Sequence, residues 1–489
     1  MQNIKTRFIA NIIFFCLIYA LMFYVVARAV SLVMTHDEAY SFYNVKHFWY
    51  VETLCTGNTH WFNFLAIKAS VLLGLEKASQ LRWFSVFSAG VFLTSAYFWI
   101  KSLKDFPTKF FAFAIALLNP FLIDYLGLAR GYAAGLMFES LALICVSIAI
   151  KNSNLSADKS KRNMATLSLF FAGMAAIANF NFFYFFAAFS IIYFYRFHLK
   201  QGLEFIKQKL FYIEWIYALA IAWLVLRALK FMTECSNDIG DYGGEELVTS
   251  VFAGMIDTHI YGKFHTNALQ LLVYLFFVVV FGTSFYGILA FKKHKIVWYR
   301  LSSSLLLLMF ALMIINKWCF DVLYPTYRTC LMLYPLIALV LVGFVSSMVT
   351  KNKIKTIVLY TCTVVIAIHF ISTINFSKTF DYYQQEDSKL CFDYLKSIGA
   401  KKVGLTGELY GVYRNYYQMT EQYKYPFTAE QLNTQVVLRN NYDAHKIKEY
   451  EYLVLFPPYN MSFYKNQGIR LKGMKYFRRT GTLVVRVIL

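Results

Sequence analysis

The chain has 489 residues, of which 58% are hydrophobic, 19% aromatic and only 15% charged, and its mean hydropathy is +0.48. Soluble domains carry about 25% charged residues, so this composition excludes an ordinary soluble protein and indicates a multi-pass membrane protein. The basic residues behind the net charge of +21 lie mainly between apolar runs. This placement favours orientation signals facing the cytoplasm over a nucleic-acid partner.

Apolar runs along the first three quarters of the chain predict eleven membrane-spanning helices, the first of them an uncleaved span. They are expected at Phe8–Val30, Arg82–Ile100, Phe110–Ile123, Gly131–Ile150, Met164–Ala178, Phe180–Tyr195, Phe211–Leu229, Asn267–Phe291, Leu301–Ile315, Cys330–Val349 and Thr356–Ile374. The fifth and sixth are nearly continuous through Asn179-Phe180-Asn181, which predicts a tight hairpin. Lys and Arg are concentrated in the short segments on one side, so the N-terminus is expected in the cytoplasm.

After Ile374 the composition changes, and no apolar run is long enough to span a membrane. Short strands and amphipathic helices alternate here, with a terminal hairpin. They are expected at Ser388–Ile398 (helix), Lys402–Thr406 (strand), Glu408–Tyr417 (helix), Tyr452–Phe456 (strand) and Met474–Leu489 (hairpin). We therefore predict a membrane domain over residues 1–374, with a first outer loop at 31–81, and an extracytoplasmic α/β domain over 375–489.

The first outer loop holds an unusual set of polar residues. Asp37 and Glu38 follow the first span, and His60 lies between Asn58 and Asn63. Two carboxylates, a histidine and two asparagines near the bilayer surface suit a site that handles a charged lipid head group. Lys68, in the apolar helix that follows, could add positive charge.

Each of these groups also has a plainer interpretation. Asp37 and Glu38 can be a hydrated loop start that caps a helix through Thr35 or Asp37. His60 can be a surface histidine beside Trp61 in an interfacial aromatic belt. The sequence leaves both alternatives open.

Two arginines lie at the outer ends of later spans. Arg130 opens the fourth span between Asp124 and Tyr132, and Arg328 precedes the tenth. A guanidinium offers a planar donor fork to a phosphate. The helix N-terminus adds backbone N–H donors. The plainer interpretation of Arg130 is an interfacial arginine that snorkels towards water.

Glu139 is the one carboxylate near the middle of a predicted span, and its expected role is packing or proton relay of unknown purpose. The eight cysteines are scattered without a metal-binding spacing. No cofactor is therefore required, although a Mg²⁺ or Mn²⁺ ion bridging Asp37 and a phosphate stays open.

Together these motifs resemble the GT-C membrane glycosyltransferases, and within them the protein O-mannosyltransferase and aminoarabinose transferase group. The resemblance covers about residues 1–350. It is carried by Asp37-Glu38 after the first span, the Asn-x-His-x-x-Asn cluster, Leu81-Arg82, the Ala129-Arg130-Gly131-Tyr132 turn and the Tyr-Arg pair before the tenth span. The C-terminal domain matches neither a mannosyltransferase MIR module nor an oligosaccharyltransferase WWD-type motif, so peptide glycosylation is not implied.

The resemblance implies a bacterial cytoplasmic (inner) membrane enzyme that moves a hexosyl or pentosyl group with inversion from a polyprenyl-phosphate donor. Asp37 would be the base, and Glu38 would orient the acceptor or the sugar. By the same resemblance, Arg130 and Arg328 would bind the donor phosphate, and their residue types make His60 and Lys68 further phosphate-binding candidates. The substrate-binding residues would be Asn58, Asn63, Asp124 and Tyr132. The acceptor would be an extracytoplasmic glycolipid, polysaccharide or protein.

The rival interpretation is a lipid or sugar transporter or flippase. Transporters place polar residues and broken helices at the bilayer midplane, usually in repeated halves. This chain places its polar clusters in outer loops and has no evident repeat.

Overall fold

The computed structural model describes residues 4–47, 60–150, 159–199, 209–235, 243–262, 267–289, 297–348, 353–420, 425–432, 447–457, 461–466 and 468–488. The chain forms two compact units. The first unit comprises Met1–Ala27, Leu54–Leu65 and Arg82–Ile374. The second unit comprises Arg28–Thr53, Ala66–Leu81 and Asn375–Leu489.

Apolar α-helices dominate the chain as far as Ile374. In chain order they are α1 (Ile4–Ser31), α2 (His36–His47), α3 (Trp61–Leu72), α4 (Ala78–Leu81), α5 (Trp83–Ser102), α6 (Phe106–Leu117), α7 (Pro120–Gly127), α8 (Tyr132–Ile150), α9 (Lys159–Ala178), α10 (Phe183–Phe197), α11 (Lys209–Cys235), α12 (Ala253–Ile260), α13 (Asn267–Leu289), α14 (Val297–Phe320), α15 (Tyr334–Ser347) and α16 (Lys353–Thr373).

Among the residues that the structure describes, nine helices are long and apolar enough to cross a membrane, and ten if the bent pair α6 and α7 is one span. These helices coincide with all the predicted spans except the fifth. The predicted multi-pass helical class is therefore confirmed, with fewer spans than the eleven expected.

The fifth predicted span is a helix, but a less apolar one than expected. Helix α9 begins at Lys159 and carries Lys161 and Arg162 in its first turn, and these charges lower its mean hydropathy below that of its neighbours. Its apolar half is buried at Ala172, Ala175 and Ala176. Small residues allow close approach between helices, and α9 packs along α8.

The third predicted span is bent by 57° between α6 and α7. The side chain of Asn119 accepts hydrogen bonds from the backbone N–H groups of Phe121 (3.0 Å) and Leu122 (3.2 Å). Pro120 occupies the first turn of α7, where its missing N–H costs nothing. A new helix therefore begins within the apolar run.

The predicted hairpin between α9 and α10 is present. A short 3-10 helix, Phe180–Phe182, joins the two helices, and the Asn179 side chain accepts a hydrogen bond of 3.0 Å from the backbone N–H of Asn181. The asparagine thus caps the turn, as expected for a residue that favours helix starts.

Two segments of the first unit meet through a small antiparallel pair, β1 (Gly243–Gly244) and β2 (Tyr324–Pro325). A π-helix (Val248–Phe252) leads into α12, and a 3-10 helix (Tyr327–Leu333) follows β2. This 3-10 helix packs against both α8 and α12.

The second unit contains a five-stranded mixed sheet in the order β4-β3-β5-β7-β6. The elements are α17 (Ser388–Ser397), β3 (Lys402–Thr406), α18 (Gly407–Val412), a π-helix (Tyr413–Tyr417), β4 (Thr428–Leu432), β5 (Tyr452–Leu455), α19 (Met461–Asn466), β6 (Arg470–Phe477) and β7 (Thr482–Ile488). Strand β3 is parallel to β4 and β5, while β7 is antiparallel to β5 and β6. The predicted strands, helices and terminal hairpin are present. Strand β4 was not predicted.

The second unit also contains α2 and most of α3, which the sequence prediction assigned to the first outer loop. Helix α2 packs against α18 and the π-helix. The rings of Phe42 and Tyr416 are 5.4 Å apart in an edge-to-face contact, and the Tyr416 hydroxyl donates to the Glu76 carbonyl (3.0 Å). Lys46 forms an ion pair of 2.6 Å with Glu76. The helix that carries Asp37 and the C-terminal sheet therefore belong to one compact unit.

Candidate functional site

The predicted polar residues fall into two clusters, one in each unit. The first cluster is the beginning of α2. The Glu38 carboxylate accepts hydrogen bonds from the backbone N–H (3.1 Å) and the hydroxyl (3.0 Å) of Thr35. The Thr35 hydroxyl in turn accepts from the Glu38 backbone N–H (3.3 Å). This reciprocal arrangement is a capping box, so the plainer helix-cap interpretation describes Thr35 and Glu38.

Asp37 has different surroundings. Its side chain is buried, with 4% relative exposure, and the Tyr382 hydroxyl donates a hydrogen bond to Oδ2. Nδ1 of His36 lies 3.8 Å from Oδ1. Asp37 also lies in the first helical turn, where the helix dipole favours a negative charge. The carboxylate is therefore not a hydrated loop residue, and the hydroxyl donor and the helix dipole both favour its ionised form, whereas its burial opposes it.

The residues around Asp37 are fixed by the segment that precedes α17. Gln385 is buried, and its Oε1 accepts a hydrogen bond of 2.6 Å from the His36 backbone N–H. Its Nε2 donates to Glu408 (3.1 Å). The His36 imidazole lies directly against the backbone of Gly411, where a Cβ would overlap the ring. The first turn of α2 is thus held from two directions within the second unit.

Lys68 also lies in the second unit. Its Nζ donates a hydrogen bond of 2.9 Å to the carbonyl of Val45, near the end of α2. The side chain is half-buried. This contact ties α3 to α2, and a phosphate-binding role for Lys68 stays a prediction.

The second cluster lies in the first unit, around Gly131. Asn63 Nδ2 donates a hydrogen bond of 2.5 Å to the carbonyl of Ala129. The His60 side chain lies against Gly131, where a Cβ would come within 2.6 Å of the His60 Cβ and would overlap the carbonyl oxygen of Ala178. Only glycine fits this close approach. The structure therefore brings His60 and Asn63 onto the Ala129–Gly131 turn.

Arg130 and Tyr132 belong to the same cluster. The Arg130 side chain is 2% exposed and Tyr132 is also 2% exposed, so Arg130 does not snorkel to the surface. The rings of His60 and Tyr132 are 5.4 Å apart. His60 is 5% exposed, which excludes the interpretation as a surface histidine.

Asp124 is buried on α7 in the same unit, and its Oδ2 accepts a hydrogen bond of 2.8 Å from the Tyr261 hydroxyl. Every residue from 117 to 137 is buried. The link between the third and fourth predicted spans is thus an interior segment rather than an exposed loop.

Arg328 lies in the 3-10 helix that follows β2. It is half-buried, and the helix starts with a capping box between Thr326 and Thr329. Gly254 of α12 lies close to the backbone of Tyr327, because a Cβ added at Gly254 would be 2.9 Å from the Tyr327 backbone nitrogen. Because this 3-10 helix packs against α8, the segments that carry Arg328 and Arg130 are neighbours in the first unit.

Three further predictions concern Asn58, a bound metal ion and Glu139. Asn58 lies outside the described residues. In the ranges that the structure covers, no group of three or more His, Cys, Asp or Glu side chains is arranged to hold a metal ion. Glu139 is fully buried in α8, and neither carboxylate oxygen has a hydrogen-bond partner in the described part of the chain.

Sequence reasoning missed Tyr382 and Tyr261, which donate to Asp37 and Asp124, and Gln385, which binds the backbone of His36. Tyr382 and Gln385 stand in a polar segment without a motif, and Tyr261 follows α12 with a left-handed backbone (φ 58°). None has a local signal, because each contact joins residues more than 100 positions apart.

These observations define a class: a multi-pass helical membrane protein with a mixed α/β sheet and buried polar clusters at helix starts. No family model matches the chain, and no curated protein does. Among solved structures, the crystal structure of ArnT from Cupriavidus metallidurans in the apo state is 10% identical with a TM-score of 0.42. That match covers 99% of this chain and 98% of the other.

The cryo-EM structure of arabinofuranosyltransferase AftD from Mycobacteria is also 10% identical, with a TM-score of 0.43. That match covers 100% of this chain and 40% of the AftD chain.

Proposed function

We propose that the protein is an inverting, polyprenyl-phosphate-dependent glycosyltransferase of the GT-C type in a bacterial cytoplasmic membrane. It transfers a hexosyl or pentosyl group to an extracytoplasmic glycolipid, polysaccharide or protein. The observation that carries the proposal is the buried Asp37 carboxylate, held by a tyrosine hydroxyl at a helix start outside the candidate spans.

The role of Asp37 follows from the chemistry of glycosyl transfer. Inversion by direct displacement needs one carboxylate as general base, whereas a double displacement needs a second one as nucleophile. Glu38 is engaged in the capping box of α2. This division of roles supports a single displacement in which Asp37 takes the acceptor's proton.

The leaving phosphate needs stabilisation as negative charge develops on it. In the first unit, Arg130 and His60 stabilise this charge, with Arg328 as a further cation. Burial of the Arg130 guanidinium supports the assignment, since charge-assisted hydrogen bonds are stronger in a site shielded from water. Asn63 and Tyr132 line this cluster and Asp124 is buried in the same unit, and these three are the proposed donor-contacting residues. Lys68 is proposed only as a supplementary charge.

The proposed membrane orientation follows from the Lys and Arg distribution, with the N-terminus inside and the residues after Ile374 outside. The proposal requires no divalent cation, because the arginines supply the positive charge at the phosphate.

One observation favours the transporter alternative. Glu139 is a fully buried carboxyl in the middle of a candidate span, and such groups often mark proton or ion pathways. A Glu139→Gln variant separates the two functions: a transferase keeps its transfer rate within about threefold, whereas a proton-coupled transporter loses substrate movement.

The transfer assay uses the full-length protein in proteoliposomes, supplied with a panel of radiolabelled polyprenyl-phosphate sugars and a membrane acceptor fraction, with and without EDTA. The expected result is radiolabel in the acceptor from one donor, unchanged by EDTA. Absence of transfer from every donor, combined with movement of the labelled lipid between leaflets, contradicts the proposal and favours the transporter.

A further inference from the structure

The contact between Asp37 and Tyr382 joins the start of α2 to a segment 345 positions later in the chain. Both side chains are buried, with relative exposures of 4% and 8%. Both belong to the second unit. A hydroxyl donor on a buried carboxylate stabilises its charged form and fixes its orientation.

The backbone around Tyr382 strengthens this arrangement. Tyr382 precedes a short 3-10 helix, Tyr383–Gln385, and its carbonyl accepts from the Gln385 backbone N–H (3.0 Å). Gln385 then binds the backbone of His36, the neighbour of Asp37. One turn of chain therefore holds two consecutive residues of α2, the backbone at His36 and the carboxylate at Asp37.

We propose that Tyr382 is a positioning residue that keeps the Asp37 carboxylate ionised and in one orientation for catalysis. This inference rests on the proposed role of Asp37 as general base. In the step concerned, the acceptor O–H proton passes to Asp37 while the acceptor oxygen bonds to the anomeric carbon. The bond from that carbon to the phosphate oxygen breaks, and its electron pair leaves with the polyprenyl phosphate. Tyr382 keeps its own proton throughout.

Several ionisable groups surround the pair and contribute to its pH response. His36 is 3.8 Å from Oδ1, and Glu38 follows in the same turn. From the elements packed against α2, Glu408 of α18 is linked through Gln385, and Arg414 of the π-helix lies over the Tyr43 ring at 5.9 Å. At 3.8 Å, His36 Nδ1 is beyond hydrogen-bond distance of Oδ1, whereas the Tyr382 hydroxyl donates to Oδ2.

The test is the pH dependence of transfer by Tyr382→Phe, with Tyr383→Phe as the matched control. Tyr383 is the adjacent tyrosine, is 52% exposed, and its hydroxyl accepts from Gln384. Tyr382→Phe is expected to lower kcat about tenfold with an unchanged KM for the donor. The acid limb of the pH profile moves up by about one pH unit, because the carboxylate loses a donor to its charged form. Tyr383→Phe keeps the wild-type profile.

A thermal double-mutant cycle of Asp37→Asn and Tyr382→Phe tests the contact without an activity assay. Non-additive changes in midpoint are expected, since each variant disturbs the same hydrogen bond. An unshifted pH profile for Tyr382→Phe overturns the inference when Asp37→Asn is inactive. Full activity of Asp37→Asn instead overturns the proposed base, and with it the role of Tyr382. A kcat loss with an unshifted profile and additive midpoints assigns Tyr382 a structural role alone.

Discussion

In the second unit, the Asp37 carboxylate is held by a hydrogen bond from a distant tyrosine, whereas in the first unit the turn at Gly131 combines a hydrogen bond from Asn63 to Ala129 with packing too close for any side chain at Gly131. Asp37 receives a hydroxyl from Tyr382, and His36 is bound by Gln385. Around Gly131, the His60 side chain and the Ala178 carbonyl leave no room for a Cβ. We therefore expect the Asp37 region to lose activity when a polar atom is removed, and the Gly131 region to lose stability when a carbon atom is added.

Within the Gly131 region, the largest effect is expected when the guanidinium of Arg130 is changed. Arg130→Lys keeps the charge but loses the planar donor fork, so kcat/KM for the donor should fall roughly 10- to 100-fold. Arg478→Lys, at an exposed arginine of the second unit, is the control and should remain within about twofold. Steady-state transfer kinetics measure both. Equal activity of the two variants would remove Arg130 from the donor site.

Adding a single methyl group at the same turn tests the packing half of the comparison. Gly131→Ala should lower the free energy of unfolding by about 1–3 kcal/mol, the usual cost of overpacking, because the Ala178 carbonyl and His60 obstruct the new Cβ. Gly282→Ala in α13 is the matched control, since a Cβ there meets nothing within 4 Å. Thermal unfolding in detergent gives the result. Identical midpoints for the two alanine variants are incompatible with a close-packed turn.

The smallest expected effect is a pH dependence of the first unit. Burial, with a contribution from His369, lowers the pKa of His259 on α12 to about 4, against about 6.5 for an unperturbed histidine. Between these values the unfolded chain binds more protons, so the stability from neutral His259 is complete above about pH 6.5 and is lost as the pH falls towards 4. Thermal midpoints should decline between pH 7 and 5, and less steeply in His259→Gln than in the exposed-site control His47→Gln. If the thermal midpoint of His259→Gln declines with pH as steeply as that of the wild type, His259 is not the cause of the decline.

Much of the fold was predictable because its signals are local. Apolar runs gave the membrane helices, Asn179 gave the hairpin, and the apolar strands Lys402–Thr406 and Tyr452–Leu455 gave the core of the sheet. Strand β4 was missed because Thr428–Leu432 has neither an apolar run nor a regular alternation, and the strand is held by its pairing with β3. The bend at Asn119 was missed because its neighbours are apolar on both sides and the cap is a single side chain.

The candidate site likewise contains residues with a local sequence signal and residues without one. His60, Asn63 and Arg130 could be grouped from sequence motifs, and the structure places them around one glycine. The capping role of Glu38 was visible as a Thr-x-x-Glu spacing. Tyr382 could not be found, because a hydrogen bond over 345 positions leaves no periodic or compositional trace near either residue.

The most direct measurement of the central claim compares Asp37→Asn with Glu38→Gln in the proteoliposome transfer assay, with donor binding measured separately. Asparagine keeps the shape of Asp37 but cannot accept the acceptor's proton, so transfer should fall roughly 10²- to 10⁴-fold with donor binding retained. Glutamine at position 38 can still form the capping box, so Glu38→Gln should stay within about threefold of wild type. Full activity of Asp37→Asn, or loss of activity confined to Glu38→Gln, would contradict the assignment of Asp37 as the catalytic base.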